Sequence, residues 1–201
     1  MTLTLHLAPG TIALAVHAAL EEAGAEYELR WLDFTAAEQT SDAYLAINPK
    51  GRVPTLVTAE GTLTETIAIL EWIAETQAPP LMPDTAWARA RMRETMTYLA
   101  STAHVNHAHK MRGHRWADDP AAHAAMRAKV PETMAASARW LEDRMEGDWV
   151  AGSFSVADPY LWVITRWLDG DGVPLADYPR LHAFRERIEA RPAVARVAAQ
   201  H

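Results

Sequence analysis

Asn48-Pro49-Lys50-Gly51-Arg52-Val53-Pro54-Thr55-Leu56 sets a turn, a strand entrance and a binding surface within nine residues. Gly51 gives the backbone freedom to turn, and Val53-Pro54 leads into the β-branched run Thr55-Leu56-Val57-Thr58, where a strand can begin. A proline at a strand entrance removes one ladder donor. Val53 can then keep its own N–H and C=O unpaired, and if the Val53-Pro54 bond is cis those groups face outward as a receptor for another peptide backbone. The expected ligand is one that itself looks like a peptide.

Leu63-Thr64-Glu65-Thr66 follows, just before an apolar helical run from Ile67 to Ala74. Glu65 and Thr66 are placed at the start of that helix, where free N–H groups and the helix dipole hold a carboxylate while Glu65 receives an ammonium. With Val53 and Pro54 they make a dock for an α-amino acid joined to a peptide backbone, the shape of glutathione. The Asn48–Leu56 run, the Glu65-Thr66 pair and the distant Phe154-Ser155-Val156-Ala157-Asp158 together resemble the glutathione transferase family, closest to its bacterial beta-class members. The resemblance spans essentially all 201 residues. It implies an enzyme that conjugates the glutathione thiolate to small hydrophobic electrophiles, with peroxide or disulfide reduction as a related activity and a role in detoxification. It also implies a homodimer. Alternatives are a glutathione-dependent isomerase or dehalogenase, or a non-catalytic protein binding glutathione or apolar ligands.

Upstream of the dock, Leu3 to Leu7 alternates like a half-buried strand, with His6 on its polar side. Ala8-Pro9-Gly10 breaks it, Thr11 stands where an N-cap belongs, and Ile12, Val16, Ala19, Leu20 and Ala23 recur at helical spacing. Glu26 to Trp31 reads as a second strand and Ser41 to Ile47 as a short helix. A hairpin, Thr55–Thr58 with Thr62–Thr64, and a helix from Thr66 to about Gln77 complete a βαβ-α-ββα order that resembles the thioredoxin-like domain. The fold class is therefore α+β, with this domain over residues 1–77.

Ala78-Pro79-Pro80-Leu81-Met82-Pro83 places three prolines in a linker, assigned to 78–85. Residues 86–201 contain no convincing strand and read as an all-α domain. Its helices are expected over Trp87 to about Lys110, Asp119 to Met145 with a kink at Pro131, Ser155 to Leu168, Tyr178 to Ala190, and a last piece from Pro192. Ser155 is expected to cap the Asp158 amide while the Asp158 carboxylate returns to the Ser155 N–H, a structural capping box.

With 49% hydrophobic residues the chain can bury a sizeable core, and its net charge of −7 argues against nucleic acid as a partner. No stretch reaches the length of a membrane span and no signal pattern opens the chain, so a soluble, cytoplasmic protein is expected. There is no cysteine, so any thiol comes from a ligand.

A thiol pKa of roughly 8.5 must be lowered to make a nucleophile at neutral pH. In the beta-class pattern a cysteine lies two residues after Pro-Gly; here that position is Ile12, and the first strand offers no tyrosine. Thr11, with the helix-start amides including that of Ile12, is the preferred thiolate partner, ahead of His6. The resemblance matches His104 to a co-substrate histidine, with Tyr98 as an apolar wall and Val105 where a lysine often follows. Four histidines, His104, His107, His109 and His114, crowd one segment. His104 and His107 have the spacing of a metal pair, but no Cys, Asp or Glu completes a ligand set before Asp118, so no metal is expected and His107 is grouped with the substrate-binding residues. Lys50 and Arg52 flank the central turn, where either can meet the glycine carboxylate of glutathione.

Overall fold

The computed structural model describes residues 2–201, which fall into two compact units, 2–84 with 189–201 and 85–188. The first unit runs β1 (Leu3–Leu7), α1 (Ala13–Glu22), β2 (Tyr27–Trp31), α2 (Asp42–Leu45), β3 (Thr55–Thr58), β4 (Gly61–Thr64) and α3 (Thr66–Thr76). Its sheet has the order β2-β1-β3-β4, with β1 parallel to β2 and the other neighbours antiparallel. This is the expected thioredoxin-like arrangement.

Every residue of α1 from Ala13 to Leu20 is buried. The helix packs on β1, on α3 and on α9 (Pro192–Ala198), so no stripe is left for solvent, and its alanines let the neighbours approach closely. Residues 189–201, assigned from the sequence to the helical domain, thus belong with the first unit. Arg191 grips Glu22 through two bonds of 2.7 Å, and Arg196 Nε donates to Glu21 at 2.7 Å. The sequence shows a terminal helix but not the surface it covers.

β1 departs from simple alternation. Only Thr4 is partly exposed, and His6 is buried rather than on a polar face. It lies between Arg30 of β2 and Thr55 of β3 in the sheet, and its ring packs 5.5 Å from that of Tyr44 on α2. A short helix covering the sheet turns the presumed polar face into interior.

The second unit contains α4 (Ala86–Tyr98), α5 (His104–Ala108), α6 (Pro120–Arg144), α7 (Ala157–Leu168) and most of α8 (Pro179–Glu189). The helix expected over Trp87–Lys110 is interrupted by a π-helical turn, Leu99–Ala103. Pro131 lies inside α6 without ending it, at the loss of one backbone donor. Ahead of α7, Asp158 accepts the Ser155 N–H at 2.7 Å as expected, and also the Val150 N–H at 2.9 Å. The other half of the box differs: the Asp158 N–H goes to the Ser155 carbonyl, while the Ser155 hydroxyl donates to Asp158. No helix among the described residues is long and apolar enough to cross a membrane.

Candidate functional site

Sheet register brings together the segments of the expected dock. His6, Thr55 and Thr64 form one row across β1, β3 and β4. One residue beyond that row stand Leu7, Pro54 and Glu65, so the loop leading to Thr11, the Val53-Pro54 entrance and the start of α3 meet at one end of the sheet. Three segments distant in sequence become neighbours because antiparallel pairing fixes their ends.

The Val53-Pro54 bond is cis. Neither the N–H nor the C=O of Val53 has a hydrogen-bond partner among the described residues. The preceding loop is held from beneath. The Tyr44 hydroxyl donates to the Arg52 carbonyl at 2.6 Å and lies 2.9 Å from Thr55 Oγ1. Asn48, 1% exposed, donates from Nδ2 to the Arg52 carbonyl at 2.8 Å and to Thr55 Oγ1 at 2.9 Å. Gly51 sits at φ +60°, where a Cβ would lie 2.9 Å from the Gln39 carbonyl, so the turn requires glycine. Sequence reasoning missed Tyr44. Its spacing to Asn48, one helical turn, is the only signal that links them.

Glu65 has φ +73°, an uncommon conformation for a side-chain-bearing residue and one that concentrates at functional sites. It precedes the open amides of α3. Thr66 is buried, and its hydroxyl has no partner among the described residues. Lys50 Nζ reaches Thr64 Oγ1 at 2.7 Å and Glu65 Oε1 at 2.5 Å. Arg52 is exposed and makes no ion pair among the described residues.

Thr11 is not a side-chain N-cap. Its hydroxyl donates to the Ala8 carbonyl at 2.7 Å, and the residue capping α1 is Ile12. The Ile12 and Ala13 amides have no partner among the described residues, as expected at a helix start. Burial, and then the Arg30 charge, hold His6 below the usual histidine pKa. Its Nδ1 is buried without a partner.

In the second unit His104 and His107 come together on one ring. His107 stacks on Trp167 at 4.0 Å, and His104 meets the same indole edge-on at 5.2 Å. His107 Nδ1 lies 2.7 Å from Asp171 Oδ2. Tyr98 belongs to a different contact: it stacks on Trp140 at 3.8 Å and its hydroxyl lies 3.4 Å from Ser137 Oγ. Among the described residues no group of three or more His, Cys, Asp or Glu is arranged to hold a metal ion.

The glutathione S-transferase N-terminal domain model matches residues 1–75, and the C-terminal domain model matches residues 71–187. Glutathione S-transferase GstA of Escherichia coli is 30% identical over 192 residues, covering 92% of each chain. A glutathione transferase homolog from Sulfitobacter, solved with bound glutathione, is 50% identical with a TM-score of 0.96, covering 99% of this chain and 98% of that one. A bacterial beta-class glutathione S-transferase from Sphingomonas chungbukensis is 29% identical with a TM-score of 0.84, covering 98% of each. On both its domains and along nearly its whole length, the chain belongs to the glutathione S-transferase family.

Proposed function

We propose that the chain is a glutathione transferase in which Val53 pairs through its backbone with the peptide of glutathione, Glu65 receives the ammonium, and Thr66 with the α3 amides holds the α-carboxylate. Pro54 shapes the entrance of the dock. Arg52 is favoured over Lys50 for the glycine carboxylate, because Lys50 is engaged by Glu65. The observation that carries the reading is the Val53 backbone, without a partner among the described residues, beside Glu65 and Thr66 at one end of the sheet.

The bound sulfur is placed at the start of α1, where the Ile12 and Ala13 amides and the helix dipole favour an anion. Thr11 joins them when its hydroxyl turns from the Ala8 carbonyl. In conjugation, the thiolate forms a bond to an electrophilic carbon of a small hydrophobic substrate, and the leaving group departs with the electron pair. His104 acts on the co-substrate, with Tyr98 and His107 among the substrate-binding residues. A detoxifying, cytoplasmic homodimer is the corresponding setting.

The test is a calorimetric titration with glutathione together with a pH scan of the ultraviolet thiolate band. The expected result is binding with a thiolate pKa below the roughly 8.5 of a free thiol. Thr11→Ala should raise that pKa if the hydroxyl contributes, while an unchanged value assigns the stabilisation to the amides. Binding without any lowering would leave a glutathione carrier rather than a transferase.

A further inference from the structure

The first unit has an open cleft of about 530 Å³ at the end of its sheet opposite the expected dock. At that end β1 begins at Leu3, paired with Tyr27 at the start of β2, and β3 finishes at Thr58, paired with Gly61. Pro54 and Glu65 lie at the other end of the same sheet. Helix α3 starts beside Glu65 and runs away from it, which carries Trp72 and Gln77 to the cleft. The volume is that of a site for a small organic molecule.

An indole and two carboxylates stand in its wall. Glu26 and Glu60 are exposed there, and neither carboxylate has an ion-pair or hydrogen-bond partner among the described residues. Other glutamates of this unit are already matched: Glu28 holds Arg30, and Glu65 holds Lys50. No lysine, arginine or histidine is among the described residues lining the cleft. The half-buried Trp72 indole borders it, with no ring or cation contact among the described residues. An indole face attracts a cation, and the carboxylates set the sign of the field around it.

Strand order sets the spacing of the two charges. β2 and β3 flank β1, so Glu26, just ahead of β2, and Glu60, just after β3, are two strand spacings apart, about 10 Å between backbones. A short alkyl chain with an ammonium at each end bridges that separation, each ammonium donating to one carboxylate.

We propose that the cleft is a second binding site, for a short aliphatic diamine or polyamine whose ammonium groups pair with Glu26 and Glu60 while its chain lies against Trp72. None of these residues belongs to the expected dock, so the proposal does not rest on the transferase reading.

The test titrates putrescine and n-butylamine into the full-length protein at low salt. Calorimetry gives the affinities, and the indole N–H resonances of nitrogen-labelled protein give the place, with Trp72 assigned from Trp72→Phe. The expected result is a shift of the Trp72 resonance by putrescine and affinity about threefold above that of n-butylamine, the range of one more exposed ion pair. Glu26→Gln and Glu60→Gln should keep the melting temperature and each weaken putrescine about threefold. The double variant should lose the preference over n-butylamine. Asp118→Asn removes one exposed carboxylate from the second unit and should leave the affinity unchanged. The proposal is overturned if putrescine leaves the Trp72 resonance unmoved, if n-butylamine binds equally well, or if the double variant folds and keeps its preference. It is also overturned if Asp118→Asn weakens binding as much as Glu60→Gln, which would make the effect one of net charge. Glutathione affinity should be the same in the double variant and the wild type, and a loss there would overturn the separation of cleft from dock.

Discussion

Lys50 Nζ lies 2.5 Å from Glu65 Oε1, joining the turn before β3 to the residue that opens α3. Both side chains are largely exposed, so the pair itself contributes little to stability. On the proposed reading its consequence is for the ligand, whose ammonium would meet at Glu65 a carboxylate already oriented by a lysine. Glu65→Ala should weaken glutathione binding by roughly ten- to a hundredfold, the range for a hydrogen bond to a charged group, with little change in melting temperature. Lys50→Met should have a smaller effect. Calorimetry beside thermal unfolding checks both, and unchanged affinity in Glu65→Ala would remove Glu65 from the dock.

The buried network under Val53 gives a second expectation. Asn48→Ala deletes the donor to the Arg52 carbonyl and to Thr55, and should destabilise the protein by about 1–3 kcal/mol. Tyr44→Phe removes one hydroxyl while Asn48 still serves the same carbonyl, so its cost should be smaller. Denaturant unfolding gives the order, and equal effects would contradict the shared load drawn from the hydrogen bonds.

Asp158 should matter to folding and not to the ligand. Asp158→Ala strips acceptors from the Ser155 and Val150 amides in a buried setting, which should cost about 3 kcal/mol or more. The folded fraction should bind glutathione with native affinity. A specific loss of affinity at full stability would give Asp158 a role in binding instead.

His17 sets a pH dependence. It is fully buried on α1, where burial lowers its pKa to about 4 from 6.5 while Glu21 opposes the shift. His17 Nε2 lies 3.1 Å from the Tyr27 oxygen, and the Tyr27 hydroxyl donates to Glu21 at 2.6 Å. As pH falls below 6.5 the unfolded chain takes up a proton at His17 that the folded chain refuses until about 4. The stability associated with neutral His17 is therefore present above 6.5 and lost across that window, by on the order of 3 kcal/mol. Urea unfolding as a function of pH should show this decline, and His17→Phe should flatten it. An equal slope in the variant would place the titration elsewhere.

The backbone of the expected dock is legible in the sequence because its turn, strand entrance and helix start are local features. Asn48 to Leu56 states its own turn, proline and strand, and Glu65-Thr66 announces a helix start, so main-chain geometry follows from residue type. The roles of Tyr44 and Asp171 were not legible. Tyr44 faces a carbonyl eight residues away and Asp171 meets a histidine 64 residues away, and such pairings depend on how elements pack. His6 was misplaced for the same reason: strand alternation names a face, but a covering helix decides whether that face is wet. Likewise the residues after 189 were readable as a helix, while the surface that α9 covers was not.

Backbone preferences and motif spacing within short segments are enough to set the order of elements, the glycine turn and the family. That Lys50 engages Glu65, that the Thr11 hydroxyl turns to Ala8 and that Asp171 meets His107 follow from packing alone. Hydrogen-bond partners are chosen by distance in space after burial has removed water, and one-dimensional spacing carries no record of that choice.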